Sequence, residues 1–135
     1  MKYFFLFLFL IVSVRGEVMA APKAGLECHE FDFGEVIEGD VLEKSFILSN
    51  SGDEDLIIKG IHSACSCTTA SIESYNLKPK EKTNFNIIYN TKGKDTGKDD
   101  ESIYIISNDP ISEMTKFTIF AQILERKEAL NNDNN

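Results

Sequence analysis

The chain has no tryptophan, only two histidines and three cysteines, and too few basic residues to balance its acids. So thin a supply of imidazole and thiol leaves little from which to build a catalytic centre. Neither His29 nor His62 stands beside an obvious nucleophile, and no G-x-S-x-G, P-loop or zinc-protease helix occurs. Against 14 Lys plus Arg stand 22 Asp plus Glu, a formal balance of -8. Phosphate contacts need a cationic face that releases counterions, so nucleic acid is a poor partner, and anionic lipid is disfavoured for the same reason. A run long enough to span a bilayer is missing too. Tyr3 through Val14 is apolar except for Ser13, but as a helix it reaches only about 18 Å, short of a hydrocarbon core of about 30 Å.

That run follows Lys2 and precedes Arg15-Gly16-Glu17, which is the charged–apolar–polar order of a secretory signal peptide. Val18 and Ala20 occupy the small-residue positions of a cleavage site, so residues 1–20 are expected to be removed, with a cut after Gly16 as the runner-up and an uncleaved N-terminal anchor as the alternative. Glu27 before Cys28 argues against lipidation. The expected location is periplasmic or secreted, with no membrane span in the mature chain, and disulfides are then permissible.

One domain is expected over residues 21–125, and between Leu26 and Leu124 its apolar residues come in short bursts separated by turn signals. Leu42, Phe46 and Leu48 share a face, as do Phe85, Ile87 and Tyr89; Ile103 to Ile106 and Phe117, Ile119, Ala121 and Ile123 supply further strands. Pro79, Gly93, Gly97 and Asn108-Asp109-Pro110 fall between them. No helical period persists over three turns. The pattern predicts an all-β fold, an immunoglobulin-like β-sandwich of about seven strands, followed by a polar, frayed tail over 126–135.

Several pieces in order carry a resemblance: Phe31-Asp32-Phe33-Gly34, Glu38-Gly39-Asp40, Phe46 to Gly52, Leu56-Ile57-Ile58, Cys65-Ser66-Cys67-Thr68, Tyr89 to Gly93, and Ser107-Asn108-Asp109-Pro110. Over residues 26–124 the chain resembles a bacterial family of small exported immunoglobulin-like domains of unknown function, distantly related to the ASH domains of abnormal-spindle and hydin proteins. The resemblance implies a sandwich and a binding or structural role rather than a reaction. Two positions depart from the family pattern. Ser66 replaces the usual glycine between the cysteines, and Pro79-Lys80 replaces Pro-Gly, which points to a type I turn.

The candidate site is His62 to Cys67, joined by Cys28-His29 from an earlier strand. Alternate strand residues share a face, so both thiols of Cys65 and Cys67 can address one point. Their extended Cα separation of about 6.5 Å allows a mutual disulfide only if the chain bends. Three readings stay open: a buried or disulfide-bonded pair that stiffens the sandwich, with Cys28 as a possible long-range partner; a Cu(I) or Zn(II) site using Cys65, Cys67, His62 and His29; and a thiol-redox couple. The expected function is noncatalytic and needs no cofactor: an exported binding or structural module with a protein or envelope partner. Metal or thiol handling at the cysteine pair is the alternative. The run Lys94 to Glu101 breaks the order of a calcium loop and reads as a solvated hairpin. Phe31 and Phe33 read as plugs for the open end of the sandwich, with Gly34 bending the first strand as it changes sheets.

Overall fold

The computed structural model describes Gly16 and residues 18–126. The expected signal peptide, apart from Gly16 and Val18 to Ala20, and the expected tail beyond Arg126 therefore lie outside the described residues. Among the described residues nine strands follow in order: β1 Ala24–Leu26, β2 Glu30–Ile37, β3 Val41–Asn50, β4 Leu56–Ser63, β5 Thr68–Ile72, β6 Asn76–Leu77, β7 Lys82–Asn90, β8 Gly97–Ser107 and β9 Met114–Leu124. They form two layers, β1-β3-β7-β5 and β2-β9-β8-β4-β6. β1 and β6 are edge pieces of 3 and 2 residues, so the longer strands number the seven that the alternation supports. The architecture is an immunoglobulin-like β-sandwich.

Alternation builds the layers. Phe46 and Leu48 of β3, Phe85, Ile87 and Tyr89 of β7, Ile103 and Ile105 of β8, and Phe117, Ile119 and Ile123 of β9 are all buried, because successive side chains of a strand point to opposite faces. The Phe117 ring sits centrally, with its centroid 4.6 Å from that of Phe46 and 5.5 Å from that of Phe85. Burying each such side chain contributes about 1.5–3 kcal/mol.

The change of sheet differs from expectation. β1 pairs antiparallel with β3, whereas β2 pairs parallel with β9 in the other layer. The crossover is therefore the Glu27–His29 link and not Gly34. Gly34 instead lies at a register shift between Asp32 and Glu35, with φ of 72° and its N–H donating to Asp32 Oδ1 at 2.8 Å. This is a bulge that re-aims β2 without leaving the sheet. Phe31 and Phe33 do pack inward, Phe31 5.4 Å from Phe46 and Phe33 stacked 6.0 Å from Tyr89.

The turn before β7 is also corrected. Glu81 N–H donates to Lys78 O at 2.9 Å and Lys80 has φ of 69°, which makes it a type II turn with lysine in the position that favours glycine. Ser66 is not among the residues with positive φ, so the Cys-Ser-Cys turn accepts a side chain there.

The Asn50 and Asp109 motifs fasten one end of the sandwich. Asn50 Oδ1 accepts from the N–H groups of Lys23 and Gly52, and its amide donates to Glu54 O and Leu77 O. Asp109 accepts from the N–H groups of Ala24, Ile111 and Ser112. Gly52 is required by close approach, since a Cβ there would lie 2.1 Å from Ala21 O.

Candidate functional site

β4 belongs to one layer and β5 to the other, and residues 64–67 carry the chain between them. Ala64 N–H still donates to Ser102 O of β8 at 3.0 Å, Thr68 N–H closes a turn onto Cys65 O at 3.2 Å, and Asn90 N–H of β7 donates to Cys67 O at 2.9 Å. The segment is thus pinned to both layers while its middle bends. The bend brings the Cα atoms of Cys65 and Cys67 to 5.2 Å, and the two are joined as a disulfide. Both residues are half-buried, and Ala64 and Ser66 beside them are exposed. Cys67 N–H donates to Cys65 Sγ at 3.1 Å. Cys67 Sγ lies 3.4 Å from Glu101 Oε1 and 3.7 Å from the Thr68 hydroxyl.

A bond across three residues removes little freedom from the unfolded chain, on the order of 1.5 kcal/mol in the loop-entropy picture. The long cross-link from Cys28 would have been worth far more, but it does not form. Cys28 is a free, half-buried thiol that packs against the core from the β1–β2 link. Burial, together with the negative charge of Glu27, pushes its pKa above the usual thiol value.

Behind the turn lies a charged cluster that sequence reading missed. Glu101, at 8% exposure, and half-buried Asp99 both project from β8. The Lys94 ammonium contacts Glu101 and lies 2.8 Å from Asp99 Oδ2. Burial alone would lower the Lys94 pKa, but the two carboxylates hold it above the ordinary value. The same ammonium stands 5.5 Å over the Tyr89 ring, and the Tyr89 hydroxyl donates to Asp99. Burial, then the Asp99 carboxylate, raises the Tyr89 pKa.

The solvated-hairpin reading of this run is therefore wrong for its second half. β8 begins at Gly97, and Asp99 and Glu101 occupy the same alternate positions as Ile103 and Ile105. That period-2 continuity was the available signal. It was masked because inward positions rarely carry carboxylates.

Of the predicted ligands, the structure brings together Cys65 and Cys67, and adds Glu101; their donor atoms lie within 4.8 Å of one another. It does not bring in the histidines. His62 is exposed on β4 opposite Tyr104, and His29 is exposed with its ring 3.5 Å from Lys116 O. A metal at the pair would need reduced thiolates and would compete with the Lys94 ammonium for Glu101. As built, the arrangement offers a small, accessible disulfide with a hydrogen-bond donor on one sulfur and a carboxylate on the other.

Among solved structures, a protein of unknown function from Porphyromonas gingivalis W83 superposes with a TM-score of 0.70 at 21% identity, covering 78% of this chain. The present chain spans about half of that protein's length, 50%. The human CEP192 ASH/PapD-like domain 7 superposes with a TM-score of 0.62 at 14% identity, covering 78% of this chain and 87% of that one. The periplasmic chaperone SfaE gives 0.55 at 12% identity, covering 75% and 57%. At these identities the likeness concerns the fold. No curated protein matches the sequence. One sequence family, described as "Protein of unknown function (DUF1573)", matches residues 25–123. The family spans both layers and every motif residue of the sandwich, and this chain belongs to it.

Proposed function

We propose that this chain is an exported, noncatalytic binding module that engages a protein or cell-envelope component by strand addition. The observation that carries the reading is the open edge of β5. Cys67 O accepts from Asn90 N–H, and Glu73 N–H donates to Asn84 O, so odd-numbered residues of β5 bond to β7. The backbone groups of Ala70 and Ile72 turn outward, where the sheet order gives no further strand among the described residues. An extended segment can add there through its main chain, with side-chain pockets giving specificity. The likeness to a protein named as a periplasmic chaperone supports a protein partner.

Export is supported by where contacts with the sandwich begin. Ala21 O accepts from Asp53 N–H and Lys23 O from Ser51 N–H, whereas Val18 and Met19 are 88% and 87% exposed. Cleavage after Ala20 would leave the fold intact. No helix among the described residues is long and apolar enough to cross a membrane.

Affinity capture from envelope extract tests the reading, with wild type and Ala70→Pro side by side. Proline at position 70 removes the outward N–H and leaves the bonds to β7 in place. The expected result is a stoichiometric partner with wild type that is lost with a variant of unchanged circular dichroism. Absence of any such partner, or equal capture by the variant, overturns it.

A further inference from the structure

We propose that Cys65 and Cys67 form a thiol–disulfide exchange site for a protein dithiol, with distinct roles for the two sulfurs. The inference rests on the turn itself and not on the β5 edge. The bond joins residues within a single turn, so opening it frees no strand. The turn stays pinned by backbone bonds at Ala64, Cys67 and Thr68, and the fold therefore tolerates both oxidation states. Half-burial and exposed neighbours leave room for an incoming sulfur.

The surroundings of the two sulfurs differ. The Cys67 N–H aimed at Cys65 Sγ stabilises a thiolate on Cys65, the reactive form. Cys67 Sγ faces the Glu101 carboxylate, which disfavours a second anion and favours a protonated thiol. Cys65 is thus the sulfur that exchanges with the partner, and Cys67 the one that takes or gives a proton at Glu101. The Lys94 ammonium contacts Glu101 and holds its side chain in place.

From the oxidised state, a partner thiolate attacks Cys65 Sγ. A mixed disulfide forms, and Cys67 leaves with the bonding pair and takes a proton at the Glu101 side. The partner's second thiolate then attacks its own sulfur in the mixed disulfide, and Cys65 leaves as a thiolate. Two electrons pass from the partner dithiol to the pair; of the two protons the partner gives up, one is taken up at Cys67 and the other goes to solvent while Cys65 stays a thiolate, and the partner gains a disulfide. The reverse sequence reduces a partner disulfide.

The test uses the mature chain, glutathione redox buffers and a model dithiol peptide, with acid trapping, alkylation and intact mass. Reversible gain and loss of two thiols at Cys65 and Cys67, with unchanged circular dichroism, is expected. In the reduced protein Cys65 should alkylate about tenfold faster than Cys67. Cys67→Ser should trap a glutathione mixed disulfide at Cys65, whereas Cys65→Ser should react slowly. Glu101→Gln should slow exchange by about tenfold or more, and Glu101→Asp should restore part of it. Should Glu101→Gln fail to fold, the alkylation order in wild type still decides. Unfolding on reduction, equal alkylation rates, or no exchange with glutathione or the peptide would each overturn the proposal. So would a reduced protein that binds stoichiometric zinc and exchanges no thiols.

Discussion

Glu101 Oε1 lies 3.4 Å from Cys67 Sγ, so a carboxylate from β8 closes the space behind the turn that carries the chain to β5. Glu101 is nearly enclosed, with a side-chain exposure of 10%, and its counter-ion Lys94 stands at 17%. Removing one partner of such a pair leaves a charge that neither water nor protein neutralises, at a cost of about 3–5 kcal/mol. Lys94→Met should lower stability by that order in urea denaturation. Lys59→Met provides the contrast: its partner Glu113 is 71% exposed, so the change should stay within about 1 kcal/mol.

Stability should fall on both sides of a neutral plateau. Lys94 has its pKa raised above the ordinary 10.5, so its contribution is complete below that value and is lost as pH climbs through the folded pKa. Tyr89 and Cys28, raised from 10.0 and 9.0, act in the same direction because the unfolded chain gives up their protons first. At the acid end Asp109 is the counterpart. Burial alone would raise its pKa, but the N–H groups of Ile111, Ala24 and Ser112 hold it below the ordinary 3.8. Its contribution is present above that value and is lost as pH falls through the folded pKa. Melting temperature across pH should show both limbs. Cys28→Ser should move the alkaline onset upward, and Asp109→Asn should flatten the acid limb.

Lys80 adopts φ of 69° at the corner of the type II turn. A side chain there costs roughly 1–2 kcal/mol, partly offset by the lower entropy loss of lysine relative to glycine. Lys80→Gly should therefore stabilise the domain by about 0.5–1 kcal/mol and raise the melting temperature by a few degrees. Lys80→Ala keeps the Cβ and should give no such gain.

The sandwich was legible because its two layers are written in period 2. Phe85, Ile87 and Tyr89 alternate in the sequence as they do in the core. The short edges β1 and β6 were not, since 3 and 2 residues carry no period. The turn at Lys80 misled because glycine is the usual signature of its φ, and surrounding bonds override that preference. At the site, the cysteine pair stood out by residue type alone. Its neighbours did not: Glu101 and Lys94 lie some thirty residues away, and only the fold places them against Cys67. His29 and His62 drew notice as metal-ligand types, yet both are exposed, His62 on β4 and His29 in the β1–β2 link.

Asn50 is fully buried and uses both ends of its amide. Its oxygen accepts from Lys23 N–H at 3.3 Å and Gly52 N–H at 2.9 Å, while its nitrogen donates to Glu54 O at 2.6 Å and Leu77 O at 2.9 Å. One side chain thus ties the N-terminal segment, the β3–β4 loop and β6 to the end of β3. Asn50→Ala should strand these backbone groups. Leaving a buried polar group unpaired costs about 1–3 kcal/mol, and water entering the cavity relieves part of the sum, so a loss of about 3 kcal/mol is expected. Amide exchange at Lys23 and Gly52 should accelerate more than exchange in the core strands β7 and β8. Asn50→Asp keeps the size and the acceptor but turns a carboxylate toward two carbonyl oxygens. At pH 7 it should therefore destabilise at least as much as alanine, and it should recover in part as acid protonates it. If Asn50→Asp matched wild type at neutral pH, the two donated bonds would contribute nothing.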